Sequence, residues 1–368
     1  MTDSISPAAS FERPVVVAPD SFKGSIRAAE AAEAIATGWR SVDPRREIVV
    51  CPMADGGEGT LDAFAAAVPD AKRMGSWVLL PPSEDAPGGT GVVELASTSG
   101  IELLGSPPKL RPWDADTRGF GEAIADALSH GVSRLLLGIG SSASTDGGAG
   151  MLTALGARFT DAAGRPIAPG ARGLATVAHA DLRDLAPLPP GGVTVLTDVT
   201  SPLLGPRGAA AVFGPQKGAA PGDIPLLDTD LARLAELLGG DPEVPGSGAA
   251  GGTGFGLLAW GARLVPGAAA VAQLIDLPER IAAASLVITG EGSYDGSSAA
   301  GKATTHVQGL ASAAGVPVTL VAGRIADDAP ALSFVRALSL TDLAGSTRGA
   351  LGDPRRWLQQ AGAILARG

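Results

Sequence analysis

The stretch LVITGEGSYDGSSAAGK, residues 286–302, is the strongest indicator of the fold of this chain. It opens with a short apolar run, residues 286–288, in which valine and isoleucine favour a β-strand. A continuous apolar run of this length is typical of a strand that is buried on both faces of a parallel sheet. Gly290 and Gly292 follow at once and predict a tight turn at the end of the strand. We therefore predict an α/β fold.

The polar side chains of the same stretch predict where a ligand would bind. In open α/β sheets, ligands bind beyond the carboxyl ends of the strands. Glu291, Asp295 and Lys302 follow the apolar run, so we expect them at that edge of the sheet. The alternative is an acidic surface loop that carries no chemistry.

Two further strand-loop-helix units lie near the N-terminus. Residues 14–18 and residues 48–51 are the predicted strands, and each is followed by a polar loop and an alanine-rich helical pattern. The polar residues that follow these strands are Asp20, Ser21, Lys23, Asp55 and Glu58.

The middle of the chain contains two more loops of this kind. After the apolar strand 134–138, residues 140–150 read GSSASTDGGAG, and a predicted helix follows directly. Glycine amides and small hydroxyls before a helix can form an anion site, although a tight strand-to-helix connection is the alternative. A later strand, residues 193–196, leads to Asp198. Lys217 lies in the loop that comes after, where an exposed lysine is the alternative interpretation.

The order of the predicted elements indicates two unlike α/β domains. Five strands come from the two ends of the chain, residues 1–70 and 275–368, and favour one doubly wound, flavodoxin-like parallel sheet. A segment rich in proline and glycine from residue 72 onward marks the entry into a second α/β domain, inserted at residues 71–274. We expect the active site in the cleft between the two domains.

The composition excludes several classes of function. A net charge of −10 without a basic stripe argues against nucleic acid or an anionic membrane as a partner. A single cysteine, Cys51, cannot form an intramolecular disulfide, and the polar N-terminus lacks an apolar signal core. We therefore expect a cytoplasmic protein. No apolar run approaches the ~18 residues of a membrane span, and the histidines lack cysteine partners at zinc spacing.

The spacing of glycines argues against three further classes of protein: nicotinamide enzymes, GxSxG hydrolases and P-loop proteins. No GxGxxG or GxSxG motif occurs in the context that a nicotinamide enzyme or a hydrolase requires. Residues 296–302 spell GxxxxGK, but Ala303 replaces the serine or threonine of a P-loop, and the motif starts several residues after its strand. The features that remain are glycine-rich anion sites, carboxylates suited to magnesium and a few lysines. An enzyme that transfers phosphoryl groups without a P-loop needs these features.

Five segments resemble the glycerate kinase family that includes the bacterial glycerate 2-kinases. They run across nearly the whole chain in the order of the family. The segments are APDSFKGS at 18–25, MADGGEGT at 53–60, GIGSSASTDGGAGM at 138–151, TDVTSPLLGPRGAAAVFGPQKGA at 197–219 and TGEGSYDGSSAAGK at 289–302. The resemblance implies ATP with Mg²⁺ as phosphoryl donor and D-glycerate as acceptor, with 2-phosphoglycerate favoured over 3-phosphoglycerate.

The chemistry that the resemblance implies assigns roles to the candidate residues. An acceptor hydroxyl needs a carboxylate in hydrogen-bond reach, and a metal-bound triphosphate needs cations and amides at its oxygens. We expect Asp198, Asp295 and Lys23 to be catalytic, with the metal at Asp198 and Asp295. Which carboxylate is the base stays open. The expected substrate- and phosphate-binding residues are Asp20, Ser21, Asp55, Glu58, Ser142, Asp146, Gly147, Gly148, Gly150, Lys217, Glu291, Lys302 and Arg324.

The chain departs from the family pattern at five motif positions, where smaller side chains stand. The family commonly has charged or amide groups there, so the changes predict a shifted substrate, a cation supplied by Arg324 or Arg118, or a loss of activity. The alternatives to glycerate kinase activity are a catalytically silent sensor of glycerate or nucleotide and a kinase for another small hydroxy acid. A monomer and a homodimer are both compatible with the sequence. The five positions are Thr145, Thr200, Ser201, Ser293 and Ser297.

Overall fold

The computed structural model describes residues 13–22, 24–296, 303–329 and 334–368. The chain divides into two compact units, Met1–Met53 with Ala272–Gly368, and Ala54–Val271. The predicted boundaries after residues 70 and 274 therefore lie 17 and three residues too far along the chain. The first boundary moves because the helix Thr60–Ala67 packs against strands of the second unit.

The strands are β1 (Val15–Val17), β2 (Ile48–Val50), β3 (Lys72–Arg73), β4 (Trp77–Leu80), β5 (Thr90–Glu94), β6 (Arg134–Gly138), β7 (Arg158–Thr160), β8 (His179–Asp181), β9 (Val193–Leu196), β10 (Arg263–Val265), β11 (Leu286–Tyr294), β12 (Val318–Ile325) and β13 (Arg336–Ser339). The α-helices are α1 (Ala28–Arg40), α2 (Thr60–Ala67), α3 (Ala96–Ser99), α4 (Arg118–Ser129), α5 (Ala149–Ala154), α6 (Ala171–Leu174), α7 (Ala209–Phe213), α8 (Ile224–Leu238), α9 (Thr253–Trp260), α10 (Gly267–Leu274), α11 (Leu277–Ala283), α12 (Ala303–Ala313), α13 (Leu340–Ala344), α14 (Thr347–Gly352) and α15 (Pro354–Ala366). Short 3₁₀ helices occur at Ile101–Leu104 and Pro215–Lys217.

The first unit is built on a parallel sheet in the order β2-β1-β11-β12-β13. In chain order this is 2-1-3-4-5, the flavodoxin-like arrangement, so the predicted doubly wound sheet from both chain ends is confirmed. All three residues of β1 are buried, as expected for a central strand of a sheet covered on both faces. Helices α1 and α15 share a core with this sheet and pack closely against each other, because a Cβ atom at Gly362 would lie 2.1 Å from the carbonyl oxygen of Ile35.

The end of β11 differs from the prediction. The turn expected at Gly290 and Gly292 is absent, and the strand continues to Tyr294 because its pairing with β12 extends to Tyr294 and Ile325. A Cβ atom at Gly290 would lie 1.9 Å from the carbonyl oxygen of Val321. Glycine is required there for a close approach between neighbouring strands, and not for a turn.

The second unit contains a six-stranded sheet in the order β10-β9-β6-β5-β4-β3. The strands from β10 to β5 are parallel, β4 pairs antiparallel with β5, and β3 pairs antiparallel with β4. β7 and β8 form a separate antiparallel pair. The strands β7, β8 and β10 were not predicted, because their sequences RFT, HAD and RLV contain charged or polar residues and do not form a continuous apolar run. The core includes Trp77, Phe120, Leu135 and Phe255.

Within the described ranges, no helix combines the length and the apolar character that crossing a membrane requires.

Candidate active site

Several loops of the second unit converge at the carboxyl ends of its parallel strands. The amide of Gly140, which follows β6, donates a hydrogen bond of 2.9 Å to the carbonyl oxygen of Gly56. A Cβ atom at Gly56 would lie 2.4 Å from the carbonyl oxygen of Leu196, the last residue of β9. A Cβ atom at Gly267, the first residue of α10, would lie 1.9 Å from the carbonyl oxygen of Asp55. Because these positions lack side chains, the segment 55–57 can lie directly on the strand ends.

The convergence brings together two carboxylates that the sequence placed at separate strand ends. Asp198 reaches solvent, and its Oδ1 accepts a hydrogen bond of 2.9 Å from the amide of Gly267. Partial burial of the carboxylate raises the pKa of Asp198, and the negative charge of Asp55 raises it further, although the amides of Gly267 and Ala268 oppose this. Asp55 itself accepts a hydrogen bond of 3.0 Å from the amide of Gly57. A carboxylate with a raised pKa is a candidate proton acceptor.

Glu94 is a residue of this region that the sequence analysis missed. Its side chain is 4% exposed, and its Oε2 accepts a hydrogen bond of 3.0 Å from the amide of Leu61 in the first turn of α2. Burial raises the pKa of Glu94, and hydrogen bonds from the amides of Gly59, Thr60 and Leu61 oppose the rise. Glu94 therefore holds the end of the glycine-rich loop that carries Asp55. Its position directly after the apolar pair Val92 and Val93 was the available signal.

Lys217 is not the exposed loop lysine that was the alternative interpretation. It is 2% exposed, and its Nζ donates hydrogen bonds to the Oγ of Ser142, over 2.7 Å, and to the carbonyl oxygen of Ser144. Burial lowers the pKa of Lys217 to about 7, and the negative charge of Asp146 opposes the decrease. The structure therefore brings three of the predicted site residues, Ser142, Asp146 and Lys217, into one buried group.

Asp146 serves the fold of its own loop. It is completely buried, and its Oδ2 accepts hydrogen bonds from the Thr117 amide (2.9 Å), the Thr117 hydroxyl (2.8 Å) and the Gly150 amide (3.1 Å). Its Oδ1 accepts from the Gly148 amide over 3.2 Å. Burial raises the pKa of Asp146, while the hydrogen bonds from Thr117 and Gly150 act against the rise. Thr117, which no motif indicated, is thus a second residue that sequence reasoning missed.

The predicted phosphate cradle at Gly147, Gly148 and Gly150 needs correction. The amides of Gly148 and Gly150 donate to the carboxylate of Asp146, and the amide of Gly147 donates to the carbonyl oxygen of Gly251 over 3.1 Å. All three donors therefore have partners inside the protein. The glycines are needed because Gly147 and Gly148 have φ angles of 63° and 81°, which other residues rarely adopt.

A second group of predicted residues lies in the first unit. At the end of β11, the hydroxyl of Ser293 donates to Oδ2 of Asp295 over 3.0 Å, and Nη2 of Arg324 donates to Oγ of Ser293 over 3.2 Å. The amide of Asp20, beyond β1, donates to the carbonyl oxygen of Gly290 over 2.8 Å. Arg324, one of the two arginines that could supply positive charge to the substrates, thus lies at the carboxyl edge of this sheet.

The remaining predicted residues are distributed as follows. The amide of Ser21 donates to Oδ1 of Asp20 over 2.6 Å, Glu291 is buried within β11, and Glu58 is exposed. Lys23 and Lys302 lie outside the described residues. Asp198 belongs to the second unit and Asp295 to the first.

The described carboxylates can supply part of a magnesium site. Among the described residues, no group of three or more histidine, cysteine, aspartate or glutamate side chains is arranged to hold a metal. Magnesium is usually held by one or two carboxylates together with substrate phosphates and water, and not by a complete protein cage. Asp198 and Asp55, whose negative charge raises the pKa of Asp198, fit that partial donor set.

Comparison with known proteins adds independent information. The family model described as the glycerate kinase family matches residues 15–368. The chain is 42% identical over 329 residues to the glycerate 2-kinase of Escherichia coli (strain K12), covering 85% of this chain and 86% of that protein. It is 40% identical over 333 residues to the glycerate kinase of Bacillus subtilis (strain 168), covering 86% of this chain and 87% of that protein.

A solved structure extends the similarity to three dimensions. The crystal structure of a Salmonella typhimurium LT2 protein, provisionally assigned as glycerate kinase 2, superposes with a TM-score of 0.79 at 35% identity. The match covers 97% of this chain and 98% of that one. The chain therefore belongs to the glycerate kinase family and is an enzyme of the kinase class.

Proposed function

We propose that the enzyme transfers the γ-phosphoryl group of ATP to D-glycerate. The observation that carries the proposal is the position of Asp198, a carboxylate of raised pKa at the carboxyl ends of the parallel strands, next to the charge of Asp55. Kinases need such a carboxylate to accept the proton of the attacking hydroxyl. The family membership supplies the reaction class.

In the proposed reaction, the hydroxyl oxygen of glycerate attacks the γ-phosphorus while the bond to the bridging oxygen of ADP breaks. Asp198 accepts the proton that the hydroxyl loses. The amides of Gly267 and Ala268 hold the Asp198 carboxylate in place. Asp55 and Asp198 would hold Mg²⁺ together with the phosphates, and the metal would neutralise negative charge on the transferred group. Asp295, the second candidate base and metal ligand, stays a prediction.

Three further assignments belong to the proposal. Glycerate carries a carboxylate that needs a cationic partner, and Arg324 and Arg118 stay the predicted candidates for it. We assign the 2-hydroxyl as acceptor because a relative at 42% identity is named a glycerate 2-kinase. Lys23 and Lys302 stay predicted partners of the phosphates.

The experiment combines purified enzyme, ATP, MgCl₂ and D-glycerate, and follows ADP release and the phosphorus NMR spectrum of the product. The expected product is 2-phosphoglycerate. ATP or glycerate binding without turnover would favour the sensor, and turnover with other hydroxy acids but not with glycerate would favour a different substrate.

Asp198→Asn tests the residue that carries the proposal. We expect kcat to fall by a factor of about 100 or more, as for the loss of a general base. Asp85→Asn is the matched control, because Asp85 is an exposed aspartate of the same unit. Equal rates of the two variants would discard the role of Asp198.

A further inference from the structure

A cavity of about 200 Å³ lies in the first unit. It is formed by the carboxyl ends of β11 and β12, the segment after β1, and the helices α13 and α14. Its lining includes Phe22, Ser25, Ser293, Arg324, Leu340 and Ala350.

The position of the cavity in the sheet is where a ligand site is expected. In a parallel sheet of order 2-1-3-4-5, the direction in which successive strands are added reverses between the first and third strands. Ligands bind beyond the carboxyl ends of the strands at that point. The corresponding strands here are β1 and β11. Phe22 comes after β1 and Gly292 lies near the end of β11, and both line the cavity.

The walls of the cavity are apolar and its edges are polar. Phe22, Leu340 and Ala350 are almost completely buried and present aromatic and aliphatic surfaces. Thr341 and Thr347 add hydroxyl groups, and the Thr341 hydroxyl is fixed by a hydrogen bond of 2.9 Å to the carbonyl oxygen of Gly323. This combination suits a flat ring with apolar faces and hydrogen-bonding edges.

The floor of the cavity is free of side chains where β11 and β12 meet. A Cβ atom at Gly323 would lie 2.4 Å from the carbonyl oxygen of Gly292. Both glycines line the cavity, so the backbone itself forms this surface. A ring can therefore lie close to the strands.

The size of the cavity and the polarity of its walls decide whether it suits glycerate or ATP, the two substrates of the proposed reaction. Glycerate is a small, highly polar acid and would leave the apolar walls without a partner. A complete nucleotide needs a pocket of several hundred Å³, of the order of whole-ligand sites, so this cavity can accept only its ring. Arg324 lines the cavity, is exposed, and forms no ion pair within the part of the chain that is described. A phosphate that is linked to the ring through the ribose could bind this cation.

We infer that the cavity binds the purine base of the phosphoryl donor, with Arg324 near the phosphate side. The inference rests on the proposed function for the identity of the donor.

The test measures nucleotide binding without glycerate, by isothermal titration with ATP and with adenosine. Ala350→Phe fills the cavity, and we expect it to raise the dissociation constants of both ligands by about tenfold or more, the scale of a lost base-stacking contact. Gln360→Phe adds the same ring at an exposed position of α15 and should bind as the wild type does.

Thermal unfolding checks that Ala350→Phe is folded, and Ala350→Val provides a smaller filling that should give an intermediate effect. Unchanged ATP and adenosine binding in folded Ala350→Phe and Ala350→Val would overturn the inference. Absence of adenosine binding to the wild-type enzyme would do the same. If the wild-type enzyme binds ATP in this way but does not phosphorylate glycerate, the proposed function fails and the cavity assignment stands.

Discussion

The ammonium group of Lys217 donates a hydrogen bond of 2.7 Å to the hydroxyl oxygen of Ser142, a residue 75 positions earlier in the chain. The same ammonium group donates to the carbonyl oxygen of Ser144. One buried side chain therefore holds two points of the loop that follows β6, and the charge of Asp146 lies near enough to stabilise the ammonium form. The loop conformation thus depends on an amino group that water does not reach.

Replacing Lys217 by methionine should change how the free energy of unfolding depends on pH. The pKa of Lys217 is about 7 in the folded protein and about 10.5 when the chain is unfolded. Between these values the unfolded chain binds more protons, so the contribution of Lys217 to stability is complete above pH 10.5 and is lost as the pH falls through 7. We expect wild-type urea midpoints to gain more between pH 7 and 9.5 than those of Lys217→Met.

Lys109→Met is the control for this comparison, because Lys109 is an exposed lysine of the same unit. It should keep the pH dependence of the wild type. If Lys217→Met also keeps it, the lysine is not desolvated in solution and the proposed loop support is wrong.

The hydroxyl of Thr117 should be required for the stability of the Asp146 loop. It donates to Asp146 and accepts a hydrogen bond of 2.9 Å from the amide of Met151. Thr117→Val keeps the shape but removes both bonds inside the protein, so we expect a loss of about 2–3 kcal/mol in the free energy of unfolding. Urea denaturation measures the loss.

Thr229→Val provides the comparison on an exposed helix surface, where the hydroxyl only donates to the carbonyl oxygen of Pro225. That variant should change the free energy of unfolding by less than about 0.5 kcal/mol. Similar losses for the two variants would contradict the role of Thr117.

The charge of Asp55 should set the acidic limb of the pH–rate profile. Asp198 acts as a base only when it is deprotonated, and the negative charge of Asp55 raises the pKa of Asp198. Asp55→Asn removes that charge, so the acidic limb of kcat/KM should move to lower pH, in addition to any loss of rate through the metal. The pH profile with ATP and D-glycerate measures the shift. An acidic limb that stays in place, or moves to higher pH, would exclude this coupling, and Asp85→Asn should leave the limb unchanged.

Glu94 should control the stability of the loop between Asp55 and α2. Glu94→Ala leaves the amide of Leu61 without its acceptor, and we expect a loss of about 2 kcal/mol, in the range for a buried unsatisfied donor. Amide hydrogen exchange should accelerate at residues 59–61 before it changes in the sheet. Glu84→Ala, at an exposed position, is expected to leave exchange in this loop unchanged. Uniform acceleration over the whole unit would show that Glu94 acts on global stability instead.

Much of the fold followed from the amino-acid pattern alone. Apolar runs such as residues 134–138 and 193–196 became strands with the predicted limits, and the runs at both chain ends formed one parallel sheet. Short-range hydrophobic pattern is sufficient here because a strand buried on both faces needs apolar residues throughout. The same pattern located Asp55 and Asp198 at strand ends, and five motifs identified the family.

The tertiary structure decided what each polar group contacts. No local pattern distinguishes Lys217 from an exposed loop lysine, because its burial depends on partners far away in the chain. The glycine at 290 serves a strand pair and not a turn, because the neighbouring β12 approaches it directly. The amides of Gly148 and Gly150 bind Asp146 because the loop closes around that carboxylate. Sequence determines local conformation through side-chain sterics and hydrophobicity, whereas long-range packing sets burial, hydrogen-bond partners and hence the pKa values on which catalysis depends.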